Sequence, residues 1–195
     1  MTLLSAALLL FLVMDPLGNV PFFLSALRNV DPGRRNLVVL RELLIALAIL
    51  VLFLFTGRYV LDLLRISDPA LTTAGGVILF LIALRMIFPT PERPLQEDIS
   101  GEPFIVPLAI PYVAGPSALA TLLLLASKEP ERWPTWLAAL LLAWLVTSII
   151  LFFGSQLGHV LGRRGLIAME RLMGMVLITV AVQMVMSGIV EVLAA

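Results

Sequence analysis

The chain has 195 residues, of which 61% are hydrophobic and 13% are charged, and its mean hydropathy is +1.07. Such values exclude an ordinary soluble domain and indicate an integral membrane protein. The 13 basic residues balance the 13 acidic ones, so the charge does not indicate a nucleic-acid partner. Because the chain has no cysteine, disulfides and thiolate metal sites are excluded.

Apolar segments long enough to cross a bilayer, which takes about 20 helical residues, occur six times along the chain. The sequence therefore predicts an all-α, polytopic membrane protein. The six predicted spans are residues 3–27, 38–57, 69–88, 104–127, 134–156 and 168–190. The proline-rich segment 89–103 is the only connection long enough to link two halves, residues 1–88 and 104–195, within one membrane domain.

The distribution of basic residues predicts the orientation of the spans. The connections at residues 28–41, 85–93 and 163–171 hold nine Arg, whereas those on the other side hold three Arg and Lys128. Both termini are therefore expected outside, and the linker 89–103 is expected in the cytoplasm.

The first span is interrupted by the sequence VMDPLGNVPFF at residues 13–23. Pro16 and Pro21 each remove a backbone donor and clash with the preceding helical turn, and Gly18 adds conformational freedom between them. We therefore predict a broken helix, with Asp15 as the N-cap of its second part.

The fourth span contains a matching interruption at Pro111 and Pro116, where Gly115 takes the cap position and Ser117 adds a hydroxyl. Two helix N-termini, one in each half, would direct free N–H groups and positive dipole ends toward the interior, where a carboxylate can bind. Irregular backbone within a membrane is tolerated only where it is buried in protein or faces water, so the breaks themselves favour a binding site.

The two halves also resemble each other as sequences. VMDPLGNVPFFL (13–24) aligns with VAGPSALATLLL (113–124), and AGGVILFLIALRM (74–86) aligns with LMGMVLITVAVQM (172–184). Each half holds three spans, so the second half must enter the membrane from the opposite face. The alignment predicts an inverted 3+3 repeat with broken first and fourth helices, an arrangement typical of secondary transporters, whose sites lie near the midplane.

Asp15 is, by sequence, the only acidic residue deep within a predicted span, where a charge costs roughly 2.5–3.5 kcal/mol. Two interpretations stay open. The carboxylate could bind a substrate ammonium or a coupling ion, or it could be a structural cap whose charge is offset by its own helix. The amide of Asn19 suits a polar ligand better than lipid.

Other small and polar residues also allow two interpretations. Gly75 and Gly76, in the third span, suit close helix packing or direct contact with a ligand. Ser117 and Thr121 lie four residues apart on one face of the fourth span, where their hydroxyls could line a site or bond back to their own helix. We predict no metal site and no cofactor.

Three motifs in this order, DPLGNVPFF, AGGVILFLIALRM and PLAIPYVAGPSALATLLLL, resemble the MarC family of six-span inner-membrane proteins over essentially the whole chain. The family includes a transporter of small neutral amino acids. The resemblance implies a cytoplasmic-membrane protein of a prokaryote, with a substrate region at Asp15, Gly18, Asn19, Gly115, Pro116 and Ser117. Many members have a glycine where this chain has Ser117, which puts the volume and polarity of the site in doubt.

The residues and the resemblance together favour secondary transport or export of small neutral amino acids, glycine and alanine, by alternating access. A channel or a non-transporting membrane scaffold is the alternative. An enzyme is not expected, because the sequence has no H-E-x-x-H motif and no second Asp or His within a span. The expected partners are the lipid bilayer and a small zwitterionic substrate, with H⁺ or Na⁺ as the coupling ion at Asp15; self-association stays open.

Overall fold

The computed structural model describes residues 1–28, 30–88, 109 and 113–193, and the regular structure of these residues is helical throughout. A short 3₁₀ turn, Pro130–Arg132, precedes the sixth helix. The α-helices are α1 (Leu3–Met14), α2 (Pro16–Ala26), α3 (Arg35–Leu64), α4 (Asp68–Ile87), α5 (Pro116–Lys128), α6 (Trp133–Phe152) and α7 (Gly154–Leu193).

Five segments of the described chain are long and apolar enough to cross a membrane: the α1–α2 pair, α3, α4, α6 with the turn before it, and α7 from Arg164 onward. The all-α membrane class is therefore confirmed. Helix α5 is shorter, with 13 residues, and matches the second part of the fourth predicted span. Most of the first part of that span, and the linker 89–103, lie outside the described residues.

Two helices extend beyond their predicted spans. Helix α3 continues to Leu64, through residues expected to form a connection, and ends at Arg65, whose φ of 53° is left-handed. Helix α7 begins at Gly154 and is interrupted at Gly162, where φ is 61°. One left-handed residue is enough to end a helix and redirect the chain, so neither connection needs a long loop.

The two halves interlock in the described fold. Helix α2, from the first half, packs on α6 and α7, while α5, from the second half, packs on α3 and α4. The shared core is apolar, with Leu10, Leu122 and Leu140 buried within it. The indole Nε1 of Trp144 in α6 donates to the carbonyl oxygen of Leu43 in α3 at 2.9 Å, which joins the two halves by a hydrogen bond as well.

Helices α4 and α7 approach each other through glycines. A Cβ added at Gly76 would lie 2.9 Å from the carbonyl oxygen of Ala181, and a Cβ added at Gly174 would lie 3.1 Å from the carbonyl oxygen of Ala83. Residue numbers rise along α4 as they fall along α7, so the two helices are antiparallel. Only hydrogen fits comfortably at either glycine, because the opposing atom belongs to the backbone.

Candidate functional site

The first span is broken at Asp15, which stands between α1 and α2 and is 6% exposed. Asp15 has φ 42° and ψ 61°, in the left-handed region that aspartate tolerates better than most residues. Its N–H donates to the carbonyl oxygens of Phe11 at 3.1 Å and Leu12 at 3.2 Å, which ends α1. Its Oδ1 accepts from the N–H of Gly18 at 3.1 Å, which caps α2.

Two residues that follow Pro16 hold this break in shape. Asn19 donates from Nδ2 to the carbonyl oxygen of Met14 at 2.9 Å, so its amide satisfies a carbonyl at the end of α1. At Gly18, an added Cβ would collide with Oδ2 of Asp15 and with Cε of Met86. A side chain there would displace the carboxylate from the start of α2. Gly18 and Asn19 therefore both stabilise the shape of the break. Contact of either residue with a ligand stays a prediction.

Helix α2 continues through Pro21, which was predicted to contribute to the break together with Pro16. An internal proline removes one helical hydrogen bond, here the bond to the carbonyl of Leu17, at a cost of about 3 kcal/mol. Val20 and Phe23 are buried on either side of Pro21, and their packing holds the helix together across it. The bend-forming role therefore belongs to the Asp15–Pro16 pair.

Helix α5 begins at Pro116, with Gly115 as its N-cap, at the position predicted from the sequence. Gly115 has φ −72° and ψ 161°, which is extended backbone, and it contributes no side-chain cap. Just before it, the N–H of Ala114 donates to the carbonyl oxygen of Ala109 at 2.9 Å. Pro111, the other predicted break residue, lies outside the described residues. This helix start is therefore made by the backbone.

Ser117 and Thr121 are both buried in the first two turns of α5, and Thr121 is only 1% exposed. The hydroxyl of Thr121 has no hydrogen-bond partner within the described part of the chain. Four other helical threonines donate to the carbonyl four residues before them, namely Thr56, Thr72, Thr73 and Thr179. An unpaired buried hydroxyl costs roughly 1–3 kcal/mol, so Thr121 fits the interpretation of a site-lining residue better than that of a back-bonded one.

Gly75 and Gly76 both lie at helix contacts, which agrees with the packing interpretation. An added Cβ at Gly75 would lie 2.8 Å from Cβ of Ala120 in α5 and 3.3 Å from Cε of Met184 in α7. Helix α4 thus touches the early part of α5 through Gly75 and the early part of α2 through Met86, eleven residues or about 16 Å further along. Both broken helices therefore begin against α4.

A second acidic residue, Glu42 in α3, is completely buried, and this burial was not predicted from the sequence. Its Oε1 accepts from Nε of Arg41 at 2.9 Å and lies 2.8 Å from Nη2 of the same guanidinium. The signal was present in the sequence, because Arg41 and Glu42 fall inside the predicted span 38–57. A buried charge is retained where it is paired or functional, and Glu42 is paired with Arg41.

These features define a polytopic α-helical membrane protein whose first span is broken at a buried carboxylate. The chain belongs to the MarC family, because the model described as MarC family integral membrane protein matches residues 1–193. The resemblance seen in the three motifs is confirmed by this match.

Relatives at moderate identity cover nearly the whole chain. It is 48% identical over 188 residues to the UPF0056 inner membrane protein YhgN of Escherichia coli, spanning 96% of this chain and 95% of the relative. It is 46% identical over 187 residues to a UPF0056 membrane protein of Buchnera aphidicola, with 96% and 95% covered. A UPF0056 membrane protein of Chlamydia pneumoniae is 32% identical over 188 residues, with 96% and 93% covered. No solved structure matches the chain.

Proposed function

We propose that the protein is a secondary transporter of small neutral amino acids, glycine and alanine, that alternates access to a site between its two broken helices. The observation that carries this proposal is the buried carboxylate of Asp15 at the break between α1 and α2. Ionisable residues within membrane proteins are costly to insert, and they commonly mark an ion or substrate path. The family, whose members are integral membrane proteins, is consistent with such a path.

A zwitterion suits the two helix starts. The free N–H groups and dipoles at the beginnings of α2 and α5 favour a carboxylate. Oδ1 of Asp15 is engaged by Gly18, which leaves Oδ2 as the atom we assign to the amino group or to a coupling H⁺ or Na⁺. The hydroxyl of Thr121, which is unused within the described fold, offers a further donor and acceptor in the second turn of α5.

The surroundings of Asp15 favour a small substrate. Met86 places its Cε so close to Gly18 that even a Cβ at Gly18 would collide with it, and the same Cβ would meet the Asp15 carboxylate. A bulky substrate side chain on this face of the break would have to displace Met86. Glycine and alanine would not, because they carry at most one methyl group.

An inverted repeat of the two halves is part of the proposal, and the α4–α7 contact supports it. Gly76 meets the carbonyl of Ala181, and Gly174 meets the carbonyl of Ala83. The sequence alignment pairs the two glycines with each other and the two alanines with each other. A two-fold rotation would therefore exchange the two contacts, as it does at an isologous interface. Since the helices are antiparallel, such an axis would lie in the membrane plane.

The chain path supports the same symmetry. Left-handed residues stand just before the third span of each half, at Arg65 and at Gly162. Each half also lends its broken helix to the other: α2 packs on α6 and α7, and α5 packs on α3 and α4. Rocking one half against the other would consequently move both helix starts, which is the motion that alternating access requires. We further propose that both termini face outward, as the count of basic residues indicates.

Uptake of labelled glycine and alanine into proteoliposomes tests this function, with wild type beside Asp15→Asn and with H⁺ or Na⁺ gradients imposed separately. We expect saturable uptake that is stimulated by unlabelled amino acid on the opposite side and lost in Asp15→Asn. The matched control is Asp31→Asn, because Asp31 is an exposed aspartate whose Oδ1 also accepts a backbone N–H, that of Gly33 at 3.4 Å. Asp31→Asn should transport normally.

Three outcomes would count against the proposal. Uptake that does not saturate would indicate a channel. The absence of uptake under every gradient, from protein that elutes as a folded species, would favour the non-transporting scaffold. Full uptake by Asp15→Asn would leave Asp15 as a helix cap and remove it from binding and coupling.

A further inference from the structure

A cavity of about 220 Å³ opens at the end of the molecule where α2 and α3 are joined. Its walls include Phe23 of α2, Leu27 just after α2, Arg35 and Val39 of α3, and Leu151 of α6. Several waters would fit, since a water occupies roughly 30 Å³ of liquid. The cavity therefore has the size to admit a small polar molecule into the helix bundle.

Polar side chains lie one helical turn deeper on all three helices that wall the cavity. One turn inward from Phe23 on α2 is Asn19, and one turn inward from Val39 on α3 is Glu42. One turn inward from Leu151 on α6 are Thr147 and Ser148, and the hydroxyl of Ser148 has no partner in the described part of the chain. A polar group on each wall is unusual for helices that pack without water between them, because an unpaired polar group there raises the free energy of the folded protein.

This polar layer reaches the break at Asp15. The hydroxyl of Thr147 lies 4.0 Å from the sulfur of Met14, the residue before Asp15. The carbonyl of Met14 in turn accepts from Asn19. One turn of α6, or about 5 Å, thus separates the cavity wall at Leu151 from Thr147, which contacts the broken helix.

The mouth of the cavity is positively charged and well anchored. Arg35 donates from Nε to the carbonyl oxygen of Val30 at 3.0 Å and from Nη2 to that of Arg28 at 3.4 Å. These bonds hold the α2–α3 connection in place and fix a guanidinium at the rim. A guanidinium attracts the carboxylate end of a zwitterion, while the deeper carboxylate of Asp15 suits its amino end.

We propose that this cavity is a water-filled vestibule through which a small zwitterion reaches Asp15 from the side of the membrane on which α2 and α3 are joined. The identity of the molecule that travels through it rests on the proposed transport function. The vestibule itself does not, because hydration can be measured without transport.

The absence of cysteine from the chain allows a direct test by single-cysteine labelling. Val39→Cys and Leu151→Cys place a thiol on the cavity wall, and Ser148→Cys places one a turn deeper. Their sequence neighbours give matched controls, Leu40→Cys and Ile149→Cys, whose native side chains are 48% and 50% exposed on the outer surface that faces lipid. An anionic, membrane-impermeant methanethiosulfonate, which the guanidinium at the rim does not repel, is added to one side of proteoliposomes at a time, and labelling is followed by mass.

Thiols react as thiolates, which need water, so the cavity cysteines should be labelled at least about ten-fold faster than their lipid-facing neighbours. Labelling should occur from one side of the membrane only. Labelling in denaturant shows that every thiol is present and unblocked. Glycine or alanine should slow the labelling of Ser148→Cys.

Two results would overturn the vestibule: cavity cysteines that react no faster than Leu40→Cys and Ile149→Cys, or cavity cysteines that react equally from both sides, as in an open pore. One-sided labelling without protection by any amino acid would support the vestibule and count against the proposed substrates. The experiment therefore distinguishes failure of the vestibule proposal from failure of the proposed transport function.

Discussion

The break before α2 and the start of α5 occupy aligned positions in the sequences of the two halves, yet they are built from different groups. At the first, a left-handed Asp15 caps the helix with its carboxylate, and the Asn19 amide satisfies the last turn of α1. At the second, Gly115 is extended and contributes no side chain, and the backbone alone shapes the helix start. The negative charge therefore belongs to one half only.

The α4–α7 contact shows the opposite behaviour. There the two halves use the same residue types in the same way, glycine against an alanine carbonyl on both sides. Packing is thus shared between the halves while capping chemistry is not. The glycines therefore belong to the packing scaffold that the two halves share. Asp15 and the hydroxyls of α5 differ between the halves, and these are the groups that can orient a substrate.

The largest effect should come from breaking the shared contact. Gly76→Val and Gly174→Val each force a branched side chain against a backbone carbonyl that cannot move aside. Overpacking of this kind typically costs about 1–3 kcal/mol, and we expect the top of that range for both variants. The measurement is equilibrium unfolding in mixed detergent micelles.

The stricter part of this prediction is that the two substitutions lower the free energy of unfolding equally. If the halves are equivalent at this interface, the two valines should destabilise by the same amount within error. Gly33→Val is the control, because nothing lies within 4 Å of a Cβ added there, and its stability should stay within about 0.5 kcal/mol of wild type. A severe effect at one glycine and none at the other would break the comparison.

A smaller effect should separate the two roles of Asp15. Asn at position 15 tolerates the left-handed backbone and can still accept from Gly18, whereas Ala can do neither well. Asp15→Ala should therefore unfold more readily than Asp15→Asn, by about 1–2 kcal/mol. Both variants lack the negative charge, so the difference between their unfolding free energies does not include the cost of burying that charge. Equal stability of the two would show that a side-chain acceptor at position 15 is not needed to cap α2.

Much of the fold follows from the sequence because a membrane imposes simple rules. Length and apolarity located the helices, and the Asp-Pro and Gly-Pro pairs located both helix starts. The ends of α3 and α7 could not be placed in the same way, because each turns on one left-handed residue, Arg65 or Gly162, rather than on a loop. Pro21 was misjudged because helix packing outweighed a single lost hydrogen bond.

The candidate site was less accessible to sequence reasoning. Asp15 stood out as a charge beside a proline, but Glu42 lay near the end of a span, where depth alone does not reveal that a side chain is buried. The unpaired hydroxyl of Thr121 could not be foreseen, because threonine on a helix usually bonds back to its own turn. The burial of Glu42 and the unpaired hydroxyl of Thr121 both depend on contacts between helices that are distant in the sequence. Residue spacing does not predict such contacts.

The smallest effect on stability should come from Thr121→Val, which replaces an unpaired hydroxyl by a methyl of similar size. Removing a buried group that has no partner should leave the unfolding free energy unchanged or raise it by up to about 1 kcal/mol. Thr72→Val is the matched control, because the buried hydroxyl of Thr72 donates to the carbonyl of Asp68 at 2.8 Å, and its loss should cost about 1 kcal/mol.

In transport, Thr121→Val should have a larger effect than Thr72→Val, the reverse of their order in stability. If the Thr121 hydroxyl contacts the substrate, losing one hydrogen bond of about 0.5–1.5 kcal/mol raises the KM for glycine by roughly two- to ten-fold, while Thr72→Val leaves KM unchanged. Initial uptake rates over a range of glycine concentrations would measure this. A Thr121→Val protein with normal KM would mean that the hydroxyl in α5 does not bind substrate, and would place the asymmetric chemistry of the two halves at Asp15 alone.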